Sequence, residues 1–421
     1  YKMPKRSWLS YRLGKLGQNA LLGTMGLGTR AVIQAGYLWV VSRWLGAEDY
    51  GWFSGAVALV ILAAPLANWG SGYLIPRYIA RDRSISRGVW ATALMQTGIM
   101  GGLLSLGMLL FAIMLPKQPL PWEALLLLAL SELVLLPATH AATSQCYALE
   151  RGIASAISMC LVPFGRFAWM LGLMGLGVNA SPENAVWAHF VGSASGVTAA
   201  IVLVAYIDGW PRWQARIGFL KATREGGSYA LSHAAGTSYQ EVDKILMLQI
   251  IGAAAVGTYS VAFRASSIFV LPIYALVGAS LPRLMRLFES GKDTAETFQG
   301  VFWAALAYGL LAGIAMLIAA PLMPLVFGKE YEDTSQILAW LSPWPILFSI
   351  RQLLATYLTA CGQQHARAVI DFTGIVTAVF FNIFFLPKMG ELGAVVSLLI
   401  TELIVSFALF CTMQIIQRNK L

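Results

Sequence analysis

Twelve apolar stretches of about twenty residues, separated by short polar connections, dominate this chain. They run over 21–42, 52–76, 89–115, 122–148, 153–177, 185–206, 229–250, 256–281, 298–322, 335–360, 367–386 and 392–415. A stretch of that length is what an α-helix needs to cross about 30 Å of hydrocarbon, whereas barrel strands alternate over about ten residues. Of 421 residues, 58% are apolar and 12% charged. Soluble domains carry about 45–50% and about 25%. The chain therefore reads as an all-α membrane protein with about twelve transmembrane helices. An ordinary soluble enzyme and a disordered chain are both excluded.

The net charge of +9 would suggest nucleic acid in a soluble protein. Here it fits basic loops facing anionic lipids, and no nucleic-acid partner is expected. With the N-terminus in the cytoplasm, twenty loop Lys and Arg residues fall inside and four (Arg43, Lys117, Lys329 and Lys388) fall outside. That asymmetry puts both termini in the cytoplasm. The first fifteen residues are polar and basic, without the apolar core of a cleavable leader. Cys146, Cys160, Cys361 and Cys411 lie in or beside apolar runs without ligand spacing, and the four histidines are scattered. No metal site or disulfide framework is expected.

The longest connection divides the chain. A basic segment, 1–20, precedes a first lobe of six spans, 21–206; a linker, 207–228, leads to a second six-span lobe, 229–421. In the linker Trp210, Trp213, Ile217 and Leu220 recur at helical spacing while Arg212, Arg216 and Arg224 lie elsewhere. This pattern predicts a helix lying on the membrane surface. The lobes are also internal repeats. At an offset of 206, residues 45–77 match 251–283 without a gap: Gly46/Gly252, Ala47/Ala253, Gly51/Gly257, Ser54/Ser260, Ala56/Ala262, Gly72/Gly278, Pro76/Pro282 and Arg77/Arg283 are identical. An even number of spans per half gives both halves one orientation, so the pseudo-two-fold should lie along the membrane normal.

Arg43-Trp-Leu-Gly-Ala-Glu-Asp-Tyr-Gly51 resembles the R-x-L-G-x-x-x-Y-G signature of bacterial oligosaccharide flippases, as does Ile251-Gly-Ala-Ala-Ala-Val-Gly-Thr-Tyr259. Phe327-Gly-Lys-Glu-Tyr331, Asn382-Ile-Phe-Phe-Leu-Pro387 and Gly390-Glu-Leu-Gly-Ala394 are similar to later landmarks of that family. The family sits in the multidrug/oligosaccharidyl-lipid/polysaccharide exporter superfamily. The resemblance implies a multi-pass protein of the bacterial inner membrane. It would move a polyprenyl-diphosphate-linked oligosaccharide to the periplasmic leaflet by alternating access, for O-antigen, lipopolysaccharide or other surface polysaccharide. Polysaccharide polymerase machinery is a candidate partner. The resemblance also implies that spans 1, 2, 7 and 8 line a cleft between the lobes.

Charges inside the spans carry the chemistry, because each costs at least about 2.5–3.5 kcal/mol at the bilayer centre. The cations are Arg30, Arg166, Lys244, Arg264 and Arg351; the acids are Glu132, Glu241, Asp243, Asp371 and Glu402. Arg30 and Gln34 share a face of span 1, and Gln240 and Lys244 share one of span 7, together with His233 and Gly236. Gln34 and Gln240 are repeat equivalents. On the cleft placement, Arg30, Lys244 and Arg264 face a cavity in which Arg can grip a diphosphate and Gln34 and Gln240 can bind sugar hydroxyls. Lys244 also has Glu241 three residues away. Glu132 with Arg166, and Arg351 with Asp371, read as structural ion pairs. Glu402 has no obvious local partner. Asp371 and Glu402 are the candidates for coupling to a proton or sodium gradient, since a buried carboxylate can change charge. There is no nucleotide-binding loop and no expected cofactor.

Two other readings compete. A cation-coupled multidrug exporter shares the superfamily plan, but its substrates call for an acidic or aromatic pocket. A polytopic glycosyltransferase or polymerase would need sizeable outer loops, which this chain lacks, so it is not read as an enzyme.

Overall fold

A computed structural model of the chain describes residues 15–215, 218–237, 239–290 and 293–418. The basic segment lies outside them through residue 14, as do Arg216, Ile217, Lys292 and Lys420. Every regular element among the described residues is helical. Hydrocarbon offers no water to peptide groups, so a chain this apolar closes its backbone hydrogen bonds inside helices. In chain order these are α1 (Lys15–Ile61), α2 (Ala64–Ala67), α3 (Ser71–Arg81), α4 (Ser86–Ile113), α5 (Trp122–Leu130), α6 (Leu136–Ala148), α7 (Gly152–Gly175) and α8 (Pro182–Asp208). Then follow α9 (Phe219–Thr237), α10 (Tyr239–Ile250), α11 (Ala253–Glu289), α12 (Ala295–Ala319), α13 (Met323–Phe327), α14 (Asp333–Trp340), α15 (Trp344–Ala360), α16 (Gln364–Met389) and α17 (Glu391–Arg418).

Among the described residues, each of the twelve apolar stretches lies largely on these helices. Among the described residues, eight helices are long and apolar enough to cross a membrane, or ten if each of two bent pairs counts as one span. The difference from twelve has a local cause. The first bent pair, Met25–Ile61 with Ala64–Arg81, contains both of the first two stretches, and they part at Gly46. Its dihedrals, φ 75° and ψ 175°, are non-helical, a conformation that a Cβ disfavours. The repeat equivalent, Gly252, has φ 142° and ψ 179° and caps α11. The 229–250 stretch is shared by α9 and α10. Large apolar side chains stay exposed on the helix surfaces, among them Val32 at 73%, Phe407 at 68% and Leu103 at 62%. Surfaces this apolar belong in lipid, and the chain is a multi-pass membrane protein.

The helices gather into two compact units. The first holds the chain up to Val40, Ala63–Phe111 and Trp122–Ala230; the second holds Val41–Leu62, Ala112–Pro121 and Leu231–Leu421. This partition differs from a division at 206 and 229, because the 41–62 part of α1 belongs with the C-terminal helices. Its partners explain why. A methyl group on Gly51 would lie 1.7 Å from the Ala253 carbonyl oxygen, and one on Gly257 would lie 2.0 Å from that of Ala47. The Ala47 amide donates to Glu330 Oε2 at 3.1 Å, and the Tyr331 hydroxyl donates to the Ser42 carbonyl at 2.8 Å.

The surface helix expected across Trp210, Trp213, Ile217 and Leu220 is reduced, among the described residues, to one 3-10 turn, Trp213–Ala215. Gly209, at φ 89°, ends α8, and Pro211 has no amide hydrogen to continue a helix. Leu220 already belongs to α9. Gly226 lies within that helix rather than ending a linker, because a methyl group there would meet the Trp69 carbonyl oxygen at 2.1 Å. Inside the first unit, α7 and α8 approach through Gly165, Gly192 and Gly196. A methyl group on Gly192 would lie 2.6 Å from the Arg166 backbone. Small residues one turn apart let membrane helices pack this closely.

Candidate functional site

In the first unit the chemistry gathers around Glu132. It lies in a π-helical turn, Ser131–Leu135, between α5 and α6. Arg166 Nη2 of α7 stands 2.8 Å from Glu132 Oε1, and His189 Nε2 of α8 stands 2.7 Å from the same oxygen. Arg166 Nε donates to Ser193 Oγ at 2.8 Å, and that hydroxyl donates to the His189 carbonyl at 2.6 Å. His189 Nδ1 meets the Tyr37 hydroxyl of α1 at 2.8 Å. The close glycine packing of α7 on α8 brings these groups together. Arg30, seven residues before Tyr37, is half-buried and lies within electrostatic reach of Arg166, Cys160 and Glu132. Gln34 is exposed.

The second unit holds two clusters. In one, Lys244 is 1% exposed and fully engaged. Its ammonium donates to the Gln240 carbonyl at 2.7 Å, lies 3.1 Å from Glu241 and 3.4 Å from Asp243, and stands 4.3 Å from the centre of the Phe263 ring. Asp243 also accepts a hydrogen bond from Tyr259. Gln240 is half-buried. Arg264, half-buried on α11, lies within electrostatic reach of the buried Tyr50 side chain. In the other cluster, Arg351 Nε lies 2.8 Å from Glu402 Oε2 and its Nη1 lies 3.9 Å from Asp371. Arg367 approaches Asp371 at 3.4 Å, and the Trp344 indole donates to Glu402 at 3.2 Å. Glu402, which had no partner by sequence spacing, is thus the nearer partner of Arg351. Asp243, unassigned by sequence, ties Lys244 to Tyr259.

Of the expected cavity residues, Arg30 and Gln34 belong to the first unit, and Gln240, Lys244 and Arg264 to the second. Sequence reasoning missed His189, Tyr331 and Glu330 as bonded groups. A histidine in the middle of an apolar span was the available signal for His189, and the Phe327–Tyr331 landmark for the other two. No group of three or more His, Cys, Asp or Glu side chains among the described residues is placed to hold a metal ion.

The model of a family described as polysaccharide biosynthesis protein matches residues 16–288, more than half of the chain. The chain belongs to that family. A second model, MatE, matches 229–384. A Staphylococcus aureus relative, capsular polysaccharide biosynthesis protein CapF, is 25% identical over 186 residues, covering 42% of this chain and 45% of its own. A probable low-salt glycan biosynthesis flippase, Agl15 of Haloferax volcanii, is 23% identical over 172 residues, covering 40% and 36%. The aligned part is less than half the length of either curated relative. These relatives resemble this chain in sequence, while solved structures establish its fold. An inward-facing multidrug resistance MATE family transporter of the MOP superfamily matches with a TM-score of 0.74 at 15% identity, covering 93% of this chain and 95% of its own. The lipid II flippase MurJ, in an inward closed conformation, matches with a TM-score of 0.72 at 12% identity, covering 94% and 87%. The fold is the all-α one of these solved transporters.

Proposed function

We propose that this protein is a flippase that carries a polyprenyl-diphosphate-linked oligosaccharide from the cytoplasmic to the periplasmic leaflet of the bacterial inner membrane, for surface polysaccharide assembly. Family membership over residues 16–288 carries this reading. The intramembrane chemistry supports it. Arg30 and Arg264 offer planar cationic forks suited to a diphosphate, and Gln34 and Gln240 offer amides to sugar hydroxyls. Lys244 is held by Glu241 and Asp243, so its charge acts mainly to position α10. Both termini lie in the cytoplasm in this reading, and the basic loops rest on anionic lipid. A polysaccharide polymerase takes the flipped product.

Energy comes from a proton or sodium gradient. Asp371 and Glu402 are candidate carriers, each of which would have to loosen a guanidinium partner to bind the ion. A cation-coupled multidrug exporter is the second reading, favoured by the MatE match over 229–384. Deletion of the gene in its host separates the two. The flippase reading expects loss of surface glycan and build-up of the lipid-linked oligosaccharide on the cytoplasmic leaflet, both reversed by the intact gene. Normal surface glycan together with raised sensitivity to lipophilic cations would overturn it.

A further inference from the structure

Tyr37, His189, Glu132 and Arg166 form a connected set within the first unit, with His189 3% exposed and Glu132 2% exposed. A carboxylate only accepts hydrogen bonds, so the imidazole nitrogen facing Glu132, Nε2, carries a hydrogen. In the neutral ring Nδ1 is then bare and accepts from the Tyr37 hydroxyl at 2.8 Å. A proton added at Nδ1 breaks none of the ion pairs. Nε2–H still reaches Glu132, and Arg166 keeps both Glu132 and Ser193. Of the bonds just named, the one that reverses is the contact with α1: Nδ1–H becomes the donor, and the Tyr37 hydroxyl accepts and turns its own hydrogen away from the ring. Asp371 and Glu402 lack this property, since a proton on either displaces a guanidinium.

A second observation points to the same place. Glu132 sits in a π-helical turn, an irregularity that costs helix regularity and tends to persist where a side chain must be aimed. The turn is fixed by packing, because a methyl group on Gly101 of α4 would lie 2.0 Å from the Leu133 carbonyl oxygen. The ring itself meets Glu132 of that turn and Tyr37 of α1; Arg166 of α7 shares the Glu132 oxygen, and Arg30 of α1 and Cys160 of α7 lie within electrostatic reach of each other, with Arg30 also in reach of Glu132 and Arg166.

We infer that His189 is a proton-binding site and that Tyr37 passes its protonation state to α1, the helix that carries Arg30. The place of this step in a transport cycle rests on the flippase reading, whereas proton binding itself does not. Two measurements on the purified full chain in lipid nanodiscs test it without any glycan. In the first, ring-carbon NMR follows the histidines, and His189→Gln identifies the signal of His189 against those of His140, His233 and His365. Glutamine can keep both the donor to Glu132 and the acceptor for Tyr37, but it cannot take a proton. In the second, Ala47→Cys with Ala253→Cys, in a background without the four native cysteines, reports the state of the α1–α11 crossing by its cross-linking rate. The expected result is a His189 signal that titrates between about pH 5 and 8, the range of an ordinary imidazole. The cross-linking rate should change with the same midpoint, and both His189→Gln and Tyr37→Phe should flatten that profile, Tyr37→Phe without stopping the titration. A ring that does not titrate in this range overturns the inference. So does a cross-linking profile that stays the same in Tyr37→Phe, which keeps the test decisive even if His189→Gln does not insert. Export measurements play no part, so failure here leaves the flippase reading standing, and failure there leaves this one standing.

Discussion

Gly51 and Gly257 make one contact twice. Each lies against the carbonyl of the alanine that precedes the other by four residues, Gly51 on Ala253 and Gly257 on Ala47. The pairs are exchanged by the 206-residue offset of the repeat, so the crossing is self-complementary in the manner of a two-fold interface. Gly51→Ala and Gly257→Ala should each force it apart, at about 1–3 kcal/mol for overpacking. The Ala47→Cys/Ala253→Cys cross-link with a short bifunctional reagent should then slow in either variant. The double variant should be little worse than one, because separating the helices relieves both clashes together. Strictly additive effects would mean that the contacts act independently.

Arg30→Ala and Arg264→Ala should each abolish or severely reduce surface glycan at normal protein level in the membrane. Charge-assisted hydrogen bonds of the kind a diphosphate needs are worth about 1.5–3 kcal/mol each. Arg→Lys at either position should restore only part of the activity, since the planar fork is lost. Complementation of a deletion strain measures this, and full activity in both alanine variants would count against a cationic grip.

The Arg351 cluster predicts a stability effect of a particular form. Glu402→Gln removes the partner 2.8 Å from a guanidinium that is 2% exposed. Breaking a buried pair on one side costs about 3–5 kcal/mol. Thermal unfolding in detergent should therefore show a large loss for Glu402→Gln, and recovery when Arg351→Met and Glu402→Leu are combined. If instead Glu402→Gln or Asp371→Asn unfolds normally and loses only its gradient dependence in proteoliposomes, the cluster is a coupling site rather than a brace.

Glu330 sits on the first amide of the helical segment that follows Gly46. Loss of an N-terminal capping acceptor costs about 1 kcal/mol, roughly a fivefold change in an equilibrium. Glu330→Ala should slow the Ala47–Ala253 cross-link by about that factor. Glu330→Gln should have a smaller effect, because it keeps the acceptor and loses only the charge at the helix start. Equal rates in all three proteins would remove Glu330 from the crossing.

The span pattern and the repeat were legible because both are properties of one helix at a time. Apolar length identifies a crossing helix, and a fixed offset identifies its copy. Pairs close in sequence were legible as well, as with Lys244 and Glu241 at 3.1 Å. Contacts between helices were harder, because spacing says nothing about relative rotation and depth. His189 meets Glu132 only because a π turn redirects the carboxylate, and Glu402 meets Arg351 across α15 and α17. Asp243 is hard to assign from sequence for a different reason. Neighbouring residues on a helix point apart, yet the long Lys244 stem folds back to within 3.4 Å of it. Gly226, inside the expected linker, mimics a loop because close packing and flexibility call for the same residue.

The attachment of residues 41–62 to the second unit also sets a timetable for biosynthesis. Ala47 and Glu330 are 283 positions apart, and Ser42 and Tyr331 are 289 apart. At a synthesis rate of about 5–20 residues per second, this segment waits roughly 15–60 s before its last partners have been made. During that interval Tyr50 and Phe53, later among the most buried side chains of the second unit, have only lipid, the insertion machinery or earlier helices to cover them. A ribosome that stalls between α8 and α11 would therefore leave an unfinished hairpin with its aromatic face uncovered, a natural target for membrane quality control.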